Sequence, residues 1–274
     1  MDVVEIFKAI ILGIVEGITE WLPISSTGHM ILIDQIIQLK VSEEFMNLFL
    51  VVIQLGAILA VVLCFFKKLW PFTSKEKGYV KTDTLILWAK VIVGVIPLGI
   101  IGVLFEDEID AVFYNYQTVA FTLILYGIFF ILIEKYNRKR KPVMTGLKDL
   151  TFSMAIAIGM FQVLSVIPGT SRSGATILGA MLLGCGRSLA AEYSFFLSIP
   201  VMFGASLLKI LKFEGSVTGS EIGLLVIGMV VAFIVSVIAI KFLMGYIKKK
   251  DFTVFGWYRI VLGGIIILCA VFLF

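Results

Sequence analysis

The sequence has few charged residues, few cysteines and a single histidine, and each scarcity excludes a class of protein. Charged residues fill 15% of its 274 positions, against roughly 25% in soluble domains. The cysteines Cys64, Cys185 and Cys269 lie far apart in apolar stretches, which argues against a disulfide framework or a thiolate metal site. The one histidine, His29, excludes a multi-histidine metal centre.

Most of the chain is apolar, which predicts an all-α integral membrane protein. Sixty per cent of the residues are hydrophobic and the mean hydropathy is +1.07, so a soluble domain could not cover its own surface. A spanning helix needs about 20 mostly apolar residues. Six stretches are long enough, at about 48–66, 84–105, 117–134, 193–211, 221–246 and 253–273.

Four shorter apolar stretches form two pairs, 4–20 with 25–38 and 152–166 with 173–186. A polar turn that contains proline separates the members of each pair. Non-helical backbone at membrane depth persists only where it is buried in protein or lines a cavity. The predicted fold therefore has six transmembrane helices and two re-entrant helix–turn–helix pairs in one membrane domain, 1–274.

The basic residues predict the orientation of this domain. The net charge of +4 is small, and we expect no nucleic-acid partner. Lysine and arginine concentrate in 67–83, 135–150 and 248–250, which the positive-inside rule places in the cytoplasm. The acidic segment 106–110 lacks both and should lie outside. Six spans then place both termini outside.

The chain also resembles itself at an offset of 146 residues. A re-entrant pair followed by three spans occurs twice, and because three is odd the halves have opposite orientation. This predicts inverted pseudo-repeats at 1–140 and 147–274, an arrangement in which broken helices carry the functional site. Matched positions include Gly13 with Gly159, Ser25 with Ser171 and Gly28 with Gly174.

The first helix pair carries the acidic and imidazole groups. Glu16 and Glu20 lie one helical turn apart, and two carboxylates in an apolar segment indicate a functional site. They suit a divalent cation or a general base, unless the segment lies at the interface with both carboxylates in water. The turn Pro23-Ile-Ser-Ser-Thr-Gly-His29 follows. His29 there suits an acid, base or nucleophile, or is a plain packing residue.

The second turn, Pro168-Gly-Thr-Ser-Arg-Ser-Gly-Ala-Thr176, predicts an anion site. Arg172 at membrane depth needs an anionic partner, and its guanidinium suits phosphate oxygens. The free N–H groups of the following helix point into the turn. The alternative is an internal salt bridge from Arg172 to Glu16 or Glu20. Because only the first half has the acids and the histidine, the asymmetry favours an enzyme over a symmetric carrier.

These motifs resemble those of the BacA/UppP family. Two further stretches carry the same resemblance, Val52-Ile-Gln-Leu-Gly-Ala57 and Glu192-Tyr-Ser-Phe-Phe-Leu-Ser-Ile-Pro200. The resemblance covers nearly the whole chain, with the motifs in order. The resemblance implies a bacterial plasma-membrane enzyme that removes the terminal phosphate of undecaprenyl diphosphate. This hydrolysis recycles the lipid carrier for cell-wall synthesis and confers bacitracin resistance. It also implies dependence on a divalent cation, Mg²⁺ or Ca²⁺, and an active site that opens outward among membrane lipids.

Several residue roles follow as expectations, and some stay open. Glu16 and Glu20 bind the cation, or Glu20 orients His29. Ser26 is the nucleophile with His29 as its base, unless His29 attacks directly or activates water. The diphosphate ligands are Arg172, Ser171, Ser173, Thr176, Gly169, Ser25 and Thr27.

The sequence leaves open the function, the role of Arg259 and the oligomeric state. A transporter or flippase of a polyprenyl phosphate or another anion is the alternative function, and a non-catalytic scaffold is a third. Arg259 either snorkels to the interface or pairs with an acid such as Glu192. The oligomeric state is not predicted.

Overall fold

The fold is given by a computed structural model, which describes residues 2–34, 36–73 and 79–273. Within these ranges the chain is helical and contains no β-strand. A single 3-10 turn, Leu164–Val166, extends one of the helices. The helices are α1 Val3–Thr19, α2 Ser26–Asp34, α3 Glu43–Cys64, α4 Phe66–Leu69, α5 Thr82–Phe113, α6 Tyr116–Asn137, α7 Phe152–Val163, α8 Arg172–Leu182, α9 Arg187–Leu211, α10 Gly219–Tyr246 and α11 Thr253–Leu273.

Six of these helices are long and apolar enough to cross a membrane, as the sequence predicts: α3, the Thr82–Phe105 part of α5, α6, α9, α10 and α11. The protein is therefore a multi-pass membrane protein. Several helices begin earlier than hydropathy indicates, because polar caps start them outside the apolar stretch. The Ser42 side chain accepts a hydrogen bond from the Phe45 N–H at the start of α3. Thr218 and Glu221 form a capping box at the start of α10.

The segment 106–110, predicted as a loop, is instead the last part of α5. A helix satisfies its backbone hydrogen bonds internally, so it continues past the apolar stretch until another signal ends it. That signal is Asn115, whose side chain accepts from the Thr118 N–H and begins α6.

The shorter apolar stretches fold as two helix–turn–helix pairs, α1 with α2 and α7 with α8. In each pair the residue before the second helix is a serine with positive φ, 73° at Ser25 and 69° at Ser171. Each serine Oγ accepts a hydrogen bond from a glycine N–H three residues later, Gly28 at 3.3 Å and Gly174 at 3.2 Å. The offset of 146 residues thus relates two turns of the same local structure.

Several contacts between helices follow the internal repeat, because corresponding helices of the two halves make corresponding contacts. Helix α1 packs on α10 and α7 packs on α5, while α3 contacts α9 and α6 contacts α11. A Cβ on Gly13 would lie 2.7 Å from the Gly228 carbonyl oxygen, and a Cβ on Gly159 would overlap the backbone of Gly94. Both matched glycines therefore permit a close helix crossing. The two pseudo-repeats and their inverted, re-entrant insertion stay predictions.

A partly buried ion pair joins α6, α9 and the start of α11. Glu134 of α6 accepts hydrogen bonds from the Arg187 guanidinium of α9 and, at 2.9 Å, from the Phe252 N–H before α11. Cys185 lies in the adjoining loop, where burial raises the pKa of its thiol to about 11. The thiol therefore stays protonated at neutral pH.

Candidate active site

The turns at 20–25 and 167–171 meet at one end of a cavity of about 450 Å³. Six of the predicted site residues line it: Glu20, Ser26, Thr27, Gly169, Ser171 and Arg172. The two halves of the chain therefore contribute to one polar surface, as the sequence predicts from the two turns.

A salt bridge joins the two turns across this cavity. Arg172 Nη2 donates to Glu20 Oε1 at 2.8 Å, and both side chains are about nine-tenths buried. Arg172 Nη1 donates to the Ser194 carbonyl of α9 at 3.0 Å. Because the guanidinium is held by both α9 and Glu20, it has a fixed position at the cavity wall, where its charge is paired with the Glu20 carboxylate.

The same carboxylate holds the hydroxyl that the sequence predicts as nucleophile. Ser26 Oγ donates to Glu20 Oε2 at 3.0 Å. A carboxylate in hydrogen-bond contact with a hydroxyl is positioned to receive its proton. Glu20 therefore links the hydroxyl of the first turn to the guanidinium of the second.

The remaining hydroxyls predicted to bind the diphosphate lie behind the cavity wall. Ser173 Oγ donates to the Glu20 carbonyl at 3.2 Å, and Thr176 Oγ1 lies 2.6 Å from Ser194 Oγ. Ser25 is buried in its own turn. These groups hold the turns in place, whereas Ser171 and Thr27 reach the cavity.

Gly169 is required by close packing in the second turn. Its φ is +84°, and an added Cβ would overlap the Thr122 hydroxyl of α6. That hydroxyl donates to the Pro168 carbonyl at 2.8 Å. Only glycine allows the turn to approach α6 this closely.

Both ring nitrogens of His29 contact groups other than Ser26, in contrast to the predicted nucleophile–base pair. Its Nδ1 lies 2.7 Å from the Ser25 carbonyl oxygen and its Nε2 lies 2.7 Å from the Tyr258 hydroxyl. Since a carbonyl oxygen only accepts, Nδ1 carries a proton, and in the neutral ring Nε2 accepts from Tyr258. The expectation that Glu20 orients His29 is likewise not what the contacts show, because the Glu20 carboxylate binds Ser26 and Arg172.

Glu16 is buried one turn before Glu20, with 2% of its surface exposed. Its Oε1 has no hydrogen-bond partner among the described residues. An orphaned carboxylate oxygen beside a second carboxylate is a suitable donor set for a hard cation. No cluster of three or more metal-ligating side chains occurs in the described part of the chain, so a cation here would take further oxygens from a ligand.

Arg259 is fully buried, so the prediction that it snorkels is wrong. Its alternative partner Glu192 instead pairs with Lys68 at 2.6 Å. The guanidinium of Arg259 donates to backbone carbonyls of both turns, those of Pro23, Gly169 and Thr170. No sequence signal places this residue, because its acceptors are backbone atoms about 90 and 236 residues away.

Beyond the polar end, the cavity is an apolar groove between α5 and α9. Its walls include Val95 and Leu98 of α5 and Met202 of α9. Three lining glycines have open space where a side chain would be, Gly99, Gly102 and Gly204. Gln54 of α3 also lines the cavity. Gln54 and Ser194 each belong to a motif quoted above, but the sequence predicted no role for either residue.

The chain is similar over most of its length to known proteins. The model of the family described as bacitracin resistance protein BacA matches residues 9–265. A protein of Desulfitobacterium hafniense named undecaprenyl-diphosphatase is 63% identical, over 98% of this chain and 97% of its own. Proteins of the same name from Lachnoclostridium phytofermentans and Enterococcus faecalis are each 61% identical, over 97% and 96% of both chains respectively.

Proposed function

Because this chain belongs to the bacitracin resistance protein BacA family, we propose that it is an undecaprenyl-diphosphatase. It hydrolyses undecaprenyl diphosphate to undecaprenyl phosphate and orthophosphate, which recycles the lipid carrier for cell-wall synthesis and confers bacitracin resistance. The observation that carries this proposal is the Glu20–Arg172–Ser26 cluster at the polar end of a cavity that continues as an apolar groove.

The cavity suits a molecule with an anionic head and a long apolar tail. Arg172 and the hydroxyls of Ser171 and Thr27 face the polar end, where they bind the diphosphate. The groove between α5 and α9 takes the first isoprenoid units, and the rest of the tail stays in lipid. An incoming diphosphate competes with Glu20 for the guanidinium and so frees the carboxylate for chemistry.

The hydrogen bond from Ser26 to Glu20 supports a covalent route. Glu20 accepts the Ser26 hydroxyl proton while Oγ attacks the terminal phosphorus and the bond to the bridging oxygen breaks. Undecaprenyl phosphate leaves, and water then hydrolyses the phosphoserine to give orthophosphate. Rapid quenching with label in the terminal phosphate is expected to trap phosphoserine at Ser26, whereas acid-labile phosphohistidine at His29 would reject this route.

The buried carboxylates of Glu16 and Glu20 are the residues that would hold a divalent cation, Mg²⁺ or Ca²⁺. When bound, the cation would supply neutralisation of the charge that develops on the phosphoryl oxygens. Arg172, which contacts Glu20 directly, stabilises the same charge.

The proposed site lies in the bacterial inner membrane and opens to its outer face. Basic residues at 135–150 and 248–250 support a cytoplasmic position for those segments. In the loop at 67–83, Lys75 and Lys77 lie outside the described residues. The two matched turns support inverted re-entrant pairs that meet at membrane depth. None of the three relatives above is named as a transporter.

The purified protein in detergent is expected to release one orthophosphate for each undecaprenyl phosphate formed from undecaprenyl diphosphate. A chelator should stop release, and Mg²⁺ or Ca²⁺ should restore it, because Glu16 and Glu20 supply only part of a coordination sphere. Absence of release with both cations present would refute the proposed activity. Release that a chelator does not change would refute the cation alone.

The groove predicts a dependence on tail length. Gly204→Leu fills open space beside the tail and should raise KM for undecaprenyl diphosphate about tenfold, which corresponds to about 1.4 kcal/mol of lost binding. KM for a three-unit prenyl diphosphate should rise by a similar factor, because the groove takes the first isoprenoid units, whereas KM for inorganic pyrophosphate, which has no tail, should not change. The control is Gly245→Leu, since Gly245 of α10 also has open space around it and does not line the cavity. An unchanged KM for both prenyl substrates in the Gly204 variant would place the tail elsewhere.

A further inference from the structure

Arg259 makes a pattern of contacts that the proposed chemistry does not use. Its side chain is fully buried and does not line the cavity. Nη1 donates to the Pro23 carbonyl at 3.2 Å, and Nη2 donates to the Gly169 and Thr170 carbonyls at 2.9 Å each. One planar, rigid group thus binds the backbone of both turns.

Two of the three carbonyls that Arg259 binds are related by the internal repeat. Pro23 and Gly169 are separated by the same 146 residues that relate Ser25 to Ser171. Each lies two residues before a serine with positive φ. A non-glycine residue in that region costs on the order of 1–3 kcal/mol, so surrounding contacts must hold the turn in place.

We propose that Arg259 is a positioning residue that sets the separation of the two turns. Through the first turn it places Ser26, and through the second it places Arg172. It acts on the reaction only through these residues. The inference rests on the proposed hydrolase function, because the separation matters when a diphosphate must contact both turns at once.

The ring contacts of Arg259 are consistent with a fixed orientation. Its guanidinium carbon lies 5.6 Å from the centre of the Tyr126 ring of α6, within cation–π range. The preceding residue, Tyr258, binds His29 at the start of α2. Tyr258 and Arg259, adjacent in α11, therefore contact the second turn, the first turn itself and the helix that follows the first turn.

The test replaces Arg259 with lysine, which keeps the charge but supplies one nitrogen in place of a fork. An ammonium group cannot span carbonyls of two turns in the same geometry. We expect kcat per folded protein to fall about a hundredfold, the cost of a misplacement of about 1 Å, with KM within twofold of wild type. Hydrogen–deuterium exchange should rise in the peptides that cover both 22–28 and 168–174.

Arg187→Lys is the control, because the Arg187 guanidinium also donates several hydrogen bonds but binds Glu134 away from the cavity. It should lower thermal stability and leave both kcat and exchange at the turns unchanged. If Arg259→Lys does not fold, Arg259→Gln is measured in the same way, since its amide still donates to one turn.

A wild-type kcat in the folded Arg259 variant, or increased exchange at one turn only, overturns the proposal. If Arg259 had a purely structural role, Arg259→Lys would lower thermal stability, and kcat per folded protein would not fall while KM stayed constant. The exchange measurement does not depend on turnover. If the wild-type protein releases no phosphate, the proposed function fails while exchange at the two turns still decides the role of Arg259.

Discussion

Replacing Arg172 with alanine is expected to lower kcat for phosphate release by about 10³-fold or more. The guanidinium is the positive charge that faces the cavity from the second turn, and arginines that stabilise transferring phosphoryl groups contribute on the order of 10³–10⁵ in rate. The change also leaves Glu20 buried without its partner. Stability should therefore fall as well, by about 3–5 kcal/mol at most. Steady-state phosphate release, normalised to folded protein, measures the first effect.

The Arg187→Ala variant separates catalysis from stability in this experiment. Arg187 also pairs with a buried carboxylate, Glu134, at the end of the bundle that the cavity does not reach. Its loss should reduce the yield or thermal stability of the protein with little effect on kcat. If the Arg172 and Arg187 variants lose the same activity per folded protein, Arg172 has no particular role in the reaction.

Replacing Glu20 with glutamine is expected to lower kcat by about 10²–10⁴-fold, the range of a lost general base. The amide keeps the size of the side chain and can still contact Ser26 and Arg172. It cannot accept the Ser26 proton at neutral pH. Single-turnover release of labelled phosphate, together with the amount of trapped phosphoserine, measures the chemical step directly.

Glu192→Gln is the matched control for Glu20→Gln. Glu192 is also a mostly buried carboxylate in a salt bridge, with Lys68, and it does not line the cavity. Its replacement should leave the rate of phosphoserine formation unchanged. Wild-type phosphoserine formation in the Glu20 variant would assign the base to another group, and His29 would be the next to test.

The six spans follow from the sequence because hydrophobic length is a local property. Their ends do not, since Ser42 and Thr218 begin helices by capping hydrogen bonds outside the apolar stretches. The acidic segment 106–110 shows the same limit, because net charge alone does not separate a loop from the aqueous end of a helix. Charge and hydropathy predict which residues enter the membrane, whereas hydrogen bonding decides where each helix stops.

The pairing of Arg172 with an acid is predictable because a buried charge requires a partner. The orientation of His29 is not, since it depends on contact between α2 and α11, which are about 229 residues apart. Arg259 is harder still, because its partners are backbone carbonyls that carry no sequence signal. The sequence thus indicates which chemical groups form the site, and helix packing determines which of them touch.

The most direct measurement of the central claim is a double-mutant cycle between Arg172 and Glu20. The claim is that the two turns form one catalytic unit, joined by the contact of these side chains at 2.8 Å. Residues that act as a unit have strongly non-additive effects on rate. The account predicts that kcat of the Arg172→Ala/Glu20→Gln double variant is no lower than about that of the more damaged single variant. If the fold-loss of kcat in the double variant equals the product of the two single fold-losses, the account is contradicted.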